Sequence, residues 1–334
     1  MATMTIRAIS VLGTRLLGTL PLGSLLLGAC LLGARAIACT AARADEGGVP
    51  FWLSGQYASF AAVPPQKGWT VTAMPYVYNG GARGTTFQRG GSLTGQINGT
   101  TALTLLQLSY APDLSLLGGQ PSFGLGFGVG GSRTSATPAA SAPGDNLRRK
   151  DSIGGLLDLY PTFTNSWSKG ASNWMVYVTG DAPVGAYSSR RLSNLGIGHA
   201  AIDAGGGYTY FDEGSGREIS AVVGTTYNFE TPSTRYRNGI DLHVDWAASQ
   251  MLSAQWQVGL VGYGYGQATG DGGSGDRVGP FRSAVVAVGP QIGYFFTVDK
   301  RQWYTNLRYY RELWARNRVR GDAVYLTLNM PLGR

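Results

Sequence analysis

The amino-acid sequence predicts an all-β protein: a transmembrane antiparallel β-barrel of about 12 strands with a short N-terminal lumen segment. Three observations predict this fold. Segments of suitable length alternate between apolar and polar side chains, as strands with one lipid-facing and one lumen-facing surface do. The connections between these segments alternate in length. Tryptophans gather beside the shorter connections, as in the aromatic girdle of a membrane barrel.

The N-terminus has the features of a secretory signal peptide, which we predict to span residues 1–44. Arg7 and Arg15 lie ahead of a long uncharged stretch, 16–34, that is rich in leucine and glycine. Ala42-Arg43-Ala44 then offers a cleavage site before a polar, acidic start. A positive region, an apolar region and an A-x-A site together are typical of a secretory leader.

Two other interpretations of this leader stay open. The apolar stretch is long enough to be a membrane anchor, although its glycines and Pro21 disfavour a helix. Leu27-Gly28-Ala29-Cys30 also has the shape of a lipobox, which would indicate lipoprotein processing. Cleavage after Ala44 would remove four arginines and no acidic residue, so the net charge would fall from +8 to +4. It would also remove both cysteines.

The composition of the remaining chain excludes several classes of protein. Without cysteine it has no disulfide framework, no thiolate metal site and no cysteine nucleophile. Charged residues make up 14% of the sequence, well below the ~25% of soluble domains. The one basic run, Arg148-Arg149-Lys150, is too short to indicate nucleic-acid binding, so no nucleic-acid partner is expected. No apolar run after the leader is long enough for a transmembrane helix.

The strand pattern is clearest at 240–246, where Asp241, His243 and Asp245 alternate with apolar residues. Residues 120–131 and 323–330 alternate in the same way, and twelve such segments can be recognised. The predicted strands are 68–79, 98–110, 120–131, 151–166, 173–187, 199–211, 218–229, 238–250, 255–267, 282–296, 302–315 and 322–331.

The connections predict the orientation of the barrel. The short ones are 111–119, 167–172, 212–217, 251–254 and 297–301. The others, mostly longer and rich in glycine, serine, proline and charge, are 80–97, 132–150, 188–198, 230–237, 268–281 and 316–321. Outer-membrane barrels have short periplasmic turns and long extracellular loops, so both termini should be periplasmic. Five tryptophans lie at this predicted periplasmic rim: Trp69, Trp167, Trp174, Trp256 and Trp303.

Residues 45–67 precede the first strand and are predicted to form a hatch-like segment, with the barrel at 68–334. This segment contains Phe51, Trp52 and a Pro64-Pro65 pair, and it would enter the lumen from the periplasmic side. Barrels of eight strands are filled by side chains, whereas those of 16–18 strands leave water channels. A barrel of intermediate size is expected to hold a narrow, partly plugged path.

Motifs for cofactors and metals are weak. The glycine pattern at 126–131 matches G-x-G-x-x-G, but a loop follows it where a dinucleotide site needs a helix. Residues 271–276 lack the spacing and the closing glutamate of a calcium loop. The two histidines, His199 and His243, are too far apart in sequence to indicate a metal site. No catalytic, cofactor-binding or metal-binding residue is therefore assigned.

Asp241, His243 and Asp245 share one face of a predicted strand and are the strongest candidates for chemistry. A carboxylate beside an imidazole can support general-base catalysis, which would suit an outer-membrane protease or lipid-modifying enzyme. The simpler interpretation, which we favour, is a polar stripe in the lumen that pairs with Arg308 or contacts the hatch.

Several segments resemble a known family over essentially the whole mature chain. They are 47–65 closing at Gly68-Trp69, Asp158-Leu159-Tyr160-Pro161, Gly207-Tyr208-Thr209-Tyr210, 230–239 leading into His243-Asp245-Trp246, 262–267 with Gly270-Asp271, and Gly289-Pro290. In order and spacing they resemble the phenol meta-pathway (MetA-pathway) degradation family of outer-membrane channel proteins. The resemblance implies uptake of hydrophobic aromatic compounds and no specific binding residue. One departure is the C-terminus, 330–334, which lacks the terminal aromatic residue usual in outer-membrane barrels.

These observations together predict an outer-membrane channel of a Gram-negative bacterium for passive uptake of small hydrophobic or aromatic compounds. The expected partners are outer-membrane lipid, the solute and the barrel-assembly machinery, without a cofactor. The alternatives are an outer-membrane enzyme and a structural or adhesive barrel that uses its loops. The ligand path is predicted along Phe51, Trp52, Tyr177, His243, Asp245, Tyr263, Tyr265 and Arg308.

Overall fold

The structure is a computed structural model that describes residues 41–42, 48–89, 92–138, 148–276 and 279–333. All of them belong to one compact unit, 40–334. The predicted leader lies outside the described residues except for 41–42, and its cleavage stays a prediction. Within the described part of the chain, no helix is long and apolar enough to cross a membrane.

The described secondary structure is β. The strands are β1 (Ala41–Ala42), β2 (Gly68–Arg89), β3 (Ser92–Ala111), β4 (Gln120–Pro138), β5 (Arg149–Leu156), β6 (Tyr160–Lys169), β7 (Ser172–Asp181), β8 (Ala201–Asp212), β9 (Arg217–Asn228), β10 (Asp241–Met251), β11 (Trp256–Gln267), β12 (Ala284–Val298), β13 (Arg301–Arg316) and β14 (Arg320–Gly333). β1 adds a short parallel pairing to β2 at Thr86 and Phe87.

The strands from β2 onward close into a barrel. Neighbours pair in an antiparallel manner, and the ring closes because β2 pairs with β14 on one edge and with β3 on the other. β5 and β6 both pair with β4, one after the other, and so occupy a single position in the wall. The wall therefore has twelve positions, and the predicted barrel fold is confirmed. Closure removes the sheet edges that lipid would otherwise face, except along β5, which pairs with β4 alone.

Several predicted boundaries were wrong: the strand predicted at 120–131 continues to Pro138, and the strand predicted at 173–187 ends at Asp181. Two further stretches differ for a reason that the pairing shows. Residues 80–97 were predicted as an extracellular loop, but β2 and β3 continue through most of this stretch as a paired hairpin. Its glycines and threonines hide the alternation, yet the neighbouring strand satisfies the backbone all the same. The predicted strand 151–166 is interrupted between β5 and β6, where the Asp158 carboxylate accepts the N–H groups of Gly185 and Ile197, at 2.7 and 2.9 Å.

The outward faces are apolar, as a lipid-facing surface requires. On β4, the side chains of Phe123, Leu125, Phe127 and Val129 are 40–54% exposed. At the end of the barrel that holds the short turns, outward rings pair across neighbouring strands. The ring centroids of Trp69 and Tyr110 are 4.9 Å apart, those of Trp174 and Tyr208 6.0 Å, and those of Trp256 and Tyr294 4.6 Å. These rings lie where an interfacial girdle would lie.

Two segments pack inside the barrel. We call residues 48–67 the plug and the connection between β7 and β8, residues 182–200, the inner loop. The plug carries buried apolar residues, among them Trp52 and Leu53, and so does the inner loop, with Leu195 and Ile197. The Val49 N–H donates to the carbonyl of Leu195 at 3.4 Å, so the two segments meet inside the barrel, above the middle of the plug.

Candidate functional site

The middle of the plug lies against the Asp245 carboxylate, which points inward from β10. This carboxylate accepts the N–H of Gly55 at 2.9 Å and the N–H of Tyr57 at 3.2 Å. Asp245 is buried, at 1% exposure. Hydrogen bonds to an ionised acceptor are about twice as strong as neutral ones, so Asp245 is a principal anchor of the plug.

The carbonyl groups of the same stretch bind to β13 and β14. The Tyr325 hydroxyl donates to the Ser54 carbonyl at 2.6 Å, and the Tyr310 hydroxyl donates to the Gly55 carbonyl at 3.1 Å. Arg308 donates to the Gln56 carbonyl at 3.3 Å. The plug backbone thus finds partners in the wall for groups that would otherwise be buried without one.

Gly55 is placed where a side chain would not fit. Its φ of 85° lies in the left-handed region. A Cβ atom there would come within 2.9–3.0 Å of the rings of Tyr310 and Tyr263. Glycine therefore lets the plug approach the wall closely enough for its carbonyls to reach β13 and β14.

The periplasmic part of the plug is anchored on β8 and β9. The N–H of Phe60 donates to Glu218 Oε1 at 3.0 Å, and the N–H of Ala62 donates to Thr209 Oγ1 at 3.0 Å. The Phe60 ring packs edge-on against Phe211 and Phe295, with centroids 5.1 and 5.5 Å away. Backbone hydrogen bonds and an aromatic contact therefore hold this end together.

Trp52 stacks on His243 in the centre of the lumen. Their ring centroids are 3.5 Å apart, with 19° between the planes. His243 Nε2 lies 2.8 Å from Asp203 Oδ2, and the Tyr177 hydroxyl donates to Asp203 Oδ1 at 2.7 Å. A polar cluster from three strands thus forms the platform for one plug tryptophan.

The structure separates the residues that the sequence analysis grouped as a general-base candidate. His243 pairs with Asp203 of β8, whereas Asp241 accepts hydrogen bonds from Asn228 and Tyr265 at 2.9 and 2.7 Å. Asp245 binds the plug backbone. The His243 and Asp203 side chains are 0% exposed, so the pair supports packing and has no access to a substrate as described.

Tyr57 belongs to the same cluster from the plug side. Its ring lies 5.7 Å from that of Trp52 and 6.1 Å from that of Tyr177. Burial, together with the nearby carboxylates of Asp245 and Asp203, raises the pKa of the Tyr57 hydroxyl above its usual value. Tyr57 therefore stays neutral at physiological pH, which suits a buried position beside two carboxylates.

A cavity of about 680 Å³ lies between the plug and the opposite wall. The plug contributes apolar and aromatic side chains to it, including Phe51, Leu53 and Phe60. The wall contributes mainly small hydroxyl side chains and glycines. The lining residues of β2, β3, β4 and β6 are Thr70, Thr72, Met74, Leu105, Leu106, Gln107, Ser109, Ala111, Ser122, Gly124, Gly126, Tyr160, Thr162, Thr164 and Ser166, with Gly68 at the start of β2. Strands β7, β8 and β12–β14 also line the cavity, with Met175, Thr179, Phe211, Phe295, Gln302, Tyr304, Asn306, Arg308, Thr327, Asn329 and Pro331. An apolar site with a few polar groups is usual for small-molecule binding.

Arg308 contributes a positive charge to this lining from a buried position on β13. It is 3% exposed and also donates to Thr327 Oγ1 at 2.8 Å. Its guanidinium lies 5.0 Å from the centre of the Tyr325 ring. None of the ion pairs in the described part of the chain includes it. Arg308 therefore brings a positive charge to the cavity and lies near enough to Asp245 for the two charges to attract each other.

The residues predicted for the ligand path fall into two groups. Phe51, Trp52 and Arg308 line the cavity. The remaining five, which hold the plug or pack beside it, are Tyr177, His243, Asp245, Tyr263 and Tyr265.

Sequence analysis did not single out the cavity wall or the Glu218 anchor. Thr162, Thr164 and Ser166 alternate on β6 and all line the cavity. Their period of two indicates that they share one face of the strand, but hydroxyl side chains alone do not indicate a binding site. Glu218 is the second residue of β9, and a charged residue at a strand end beside a turn does not by itself indicate an inward contact.

No group of three or more His, Cys, Asp or Glu side chains in the described residues could hold a metal ion. The polar groups around the lumen are used instead to hold the plug, with Asp245 and Glu218 as acceptors. The arrangement can therefore bind and position a small organic molecule through apolar contact and hydroxyl groups.

Comparison with known proteins identifies the family. Residues 82–328 match the family described as "Putative MetA-pathway of phenol degradation". The chain belongs to this family. A search of curated proteins finds no match.

A solved structure shares this fold. The COG4313 outer membrane channel from Pseudomonas putida F1 aligns with a TM-score of 0.63 and 14% identity, over 81% of this chain and 98% of that one. The β domain of the Bordetella autotransporter BrkA has a TM-score of 0.48 and 11% identity, over 80% and 100% of the two chains. A FadL homologue from Pseudomonas aeruginosa has a TM-score of 0.35 and 12% identity, over 88% and 99%. The last two scores are too low to support an argument.

Fold and family together make this MetA-pathway family member a channel-like barrel of the Gram-negative outer membrane. Its lipid-facing surface is the apolar outward face of the strands. Its lumen is occupied by the plug and the inner loop, which leave a cavity along one wall.

Proposed function

We propose that this protein is a channel for passive uptake of small hydrophobic, aromatic compounds across the outer membrane. The single observation that carries the proposal is the cavity of about 680 Å³ between the aromatic plug and the hydroxyl-lined wall. The family name refers to phenol degradation, and the Pseudomonas putida relative of similar fold is an outer membrane channel. The first supports an aromatic solute, and the second supports a channel.

The lining matches an aromatic solute with one polar group. The rings of Phe51 and Tyr160 stack with centroids 6.0 Å apart, and both line the cavity. A third ring can add to such a pair in an offset or edge-on arrangement, which aromatic contacts favour. Thr162 and Gln107 offer hydrogen bonds to a hydroxyl group on that ring.

The cavity extends from the periplasmic end of the barrel to the level of the inner loop. Pro65, Gln66 and Gln302 line it near the periplasmic rim, and Val49 lines it at the other end, where the plug meets the inner loop. We infer that the described conformation is closed to the outside. Transport would then require displacement of the inner loop, of the plug, or of both, with the plug acting as a hatch.

We also propose that the protein is not an enzyme. The only histidine in the central cluster, His243, is enclosed by Trp52, Asp203 and Tyr177. A general base must reach the substrate within hydrogen-bond distance, and His243 does not line the cavity. No observation favours a structural or adhesive role over transport.

Uptake at limiting concentration tests the proposal. A strain that lacks the protein would be compared with the same strain carrying it, using labelled phenol and toluene at low micromolar concentration and arabinose as a polar control. We expect faster entry of both aromatics and unchanged entry of arabinose. Equal entry of the aromatics in both strains would overturn the proposal, and a matching rise for arabinose would indicate a general porin instead.

A further inference from the structure

Three arginines lie close together on the outside of the barrel, at the end opposite the start of β2 and the end of β14. Arg316 ends β13, Arg320 begins β14, and Arg282 precedes β12 by two residues. Arg316 lies opposite Ala284 in the register. The side chain of Asn317 donates to the Arg282 carbonyl at 3.0 Å. Register and hydrogen bond bring the three strand ends into one cluster, which we call the arginine patch (Arg282, Arg316 and Arg320).

The alternation of the strands directs these side chains outward. On β14, Arg320 has the parity of Val324, which is 39% exposed, whereas Ala323 and Tyr325 of the other parity are buried. On β12, Arg282 has the parity of Val286, which is 46% exposed. All three arginines are exposed residues. The patch therefore belongs to the lipid-facing surface and not to the lumen.

No carboxylate among the described residues forms an ion pair with the patch. Arg318, in the same hairpin, shows the contrast: its side chain lies 3.7 Å from Glu312 and its guanidinium 5.4 Å from the centre of the Tyr265 ring. The inward Arg318 thus forms an ion pair with a carboxylate, whereas the ion pairs of the described residues include none of the outward arginines of the patch.

The patch borders the apolar belt of the barrel. Leu313, Trp314 and Val286 are 57%, 50% and 46% exposed, and Arg320 Nη1 donates to the Leu313 carbonyl at 3.4 Å. Side chains at the end of such a belt lie at the level of lipid head groups. The short turns, the start of β2 and the end of β14 lie at the other end of the barrel, so the end with the patch is the extracellular one and the patch faces the outer leaflet.

We propose that the arginine patch binds the phosphate groups of a phosphorylated glycolipid of the outer leaflet, with the acyl chains on the belt around Trp314. Guanidinium groups match phosphate in geometry and bind it through paired N–H donors. Clusters of basic residues beside a membrane recognise anionic head groups in the same way. A lipid with two phosphates on one head group can engage more than one arginine of the patch at a time.

Native mass spectrometry of the folded full-length barrel in detergent tests the proposal. The probes are hexa-acylated lipid A with two phosphates, the same lipid with one, and the same lipid with none. The patch variant is Arg282→Gln, Arg316→Gln and Arg320→Gln together. The control removes three exposed cations at the periplasmic end, Lys169→Gln, Arg217→Gln and Arg301→Gln. A heat-modifiability gel verifies folding of each variant.

We expect the wild type to bind in the order two phosphates, one phosphate, none. The patch variant should bind the bisphosphorylated lipid about tenfold more weakly, and the control as the wild type does. Equal binding by patch variant and wild type would overturn the proposal, as would equal binding of the dephosphorylated lipid. Equal binding of phosphatidylglycerol would overturn the assignment to a glycolipid. If the triple variant fails to fold, Arg320→Gln alone, with salt dependence, gives the same decision.

Discussion

The two sides of the barrel wall differ in how many hydrogen bonds they form with the plug. In the described part of the chain, the hydrogen bonds that hold the plug against the strands go to β8–β10 and β12–β14. The exposed ion pair of Lys67 with Asp113 reaches only the turn between β3 and β4. The wall of β8–β10 and β12–β14 carries buried charges and tyrosines. The wall of β2, β3, β4 and β6 carries mainly threonine, serine and glycine instead and supplies more than half of the wall residues that line the cavity; β7, β8 and β12–β14 supply the others. A plug that is hydrogen-bonded mainly to one side of the wall leaves space for a path on the other side.

Removal of the plug should have the largest effect, because it would abolish the difference between the two walls. Deletion of 48–62 leaves the strands of the barrel intact. It removes the side chains that separate the cavity from the buried charges of β8–β10. We expect a rise of severalfold in single-channel conductance in planar bilayers.

The control for this deletion is a heat-modifiability gel, which shows whether the barrel still folds. A folded deletion variant with wild-type conductance would mean that the inner loop alone closes the lumen. The comparison of the two walls would then say nothing about permeation.

Asp245→Asn should weaken the fastening without removing the plug. The amide keeps the size of the side chain but loses the charge that strengthens the hydrogen bonds from Gly55 and Tyr57. A lost charged hydrogen bond costs about 1.5–3 kcal/mol, and we expect plug docking to weaken by this order. Protease cleavage of the plug in folded protein, followed over time, measures the change.

The matched control is Asp322→Asn, which removes an outward carboxylate paired with the exposed Arg311. A surface pair contributes little, about 0–1 kcal/mol, and it does not contact the plug. If both variants protect the plug equally well, the Asp245 carboxylate is not an anchor.

Thr164→Trp should narrow the path on the open wall. Thr164 points into the cavity from β6, so an indole there would fill part of its volume. We expect severalfold slower uptake of phenol with unchanged thermal stability. The control is Phe163→Trp on the next residue, which faces lipid beside Phe123. Equal uptake by both variants would place the solute path elsewhere.

His243→Gln should have the smallest effect of this set. Glutamine can still bind Asp203, but it loses the ring that stacks on Trp52 at 3.5 Å. An aromatic pair contributes about 0.5–1.5 kcal/mol, so plug protection should fall less than in Asp245→Asn. The same protease assay measures it. A larger loss than in Asp245→Asn would reverse the order of the two anchors.

Most of the fold followed from the sequence because alternation is local. The pattern of Phe123, Leu125 and Phe127 predicts an outward face without any knowledge of neighbours, and the structure has it. The failures occurred where local pattern and pairing diverge. Residues 80–97 lack clear alternation but pair with each other, and 151–166 alternates but is interrupted at Asp158.

The candidate site divides in the same way. Inward parity identified Asp245 and His243 as lumen residues, but it could not show that each binds the plug rather than a solute. Nor could it show that Asp203 is the partner of His243, since 40 residues separate them and they meet only through strand pairing.

By itself, then, the sequence determined the class of the protein, the number of wall positions and the faces of the strands, because each depends on residues close together in the chain. Only the tertiary structure decided which wall holds the plug, where the cavity lies and how the inner loop meets the plug. These depend on contacts between residues up to 271 positions apart, such as Ser54 with Tyr325. Closure of the barrel brings such residues together, and no local pattern encodes their distance.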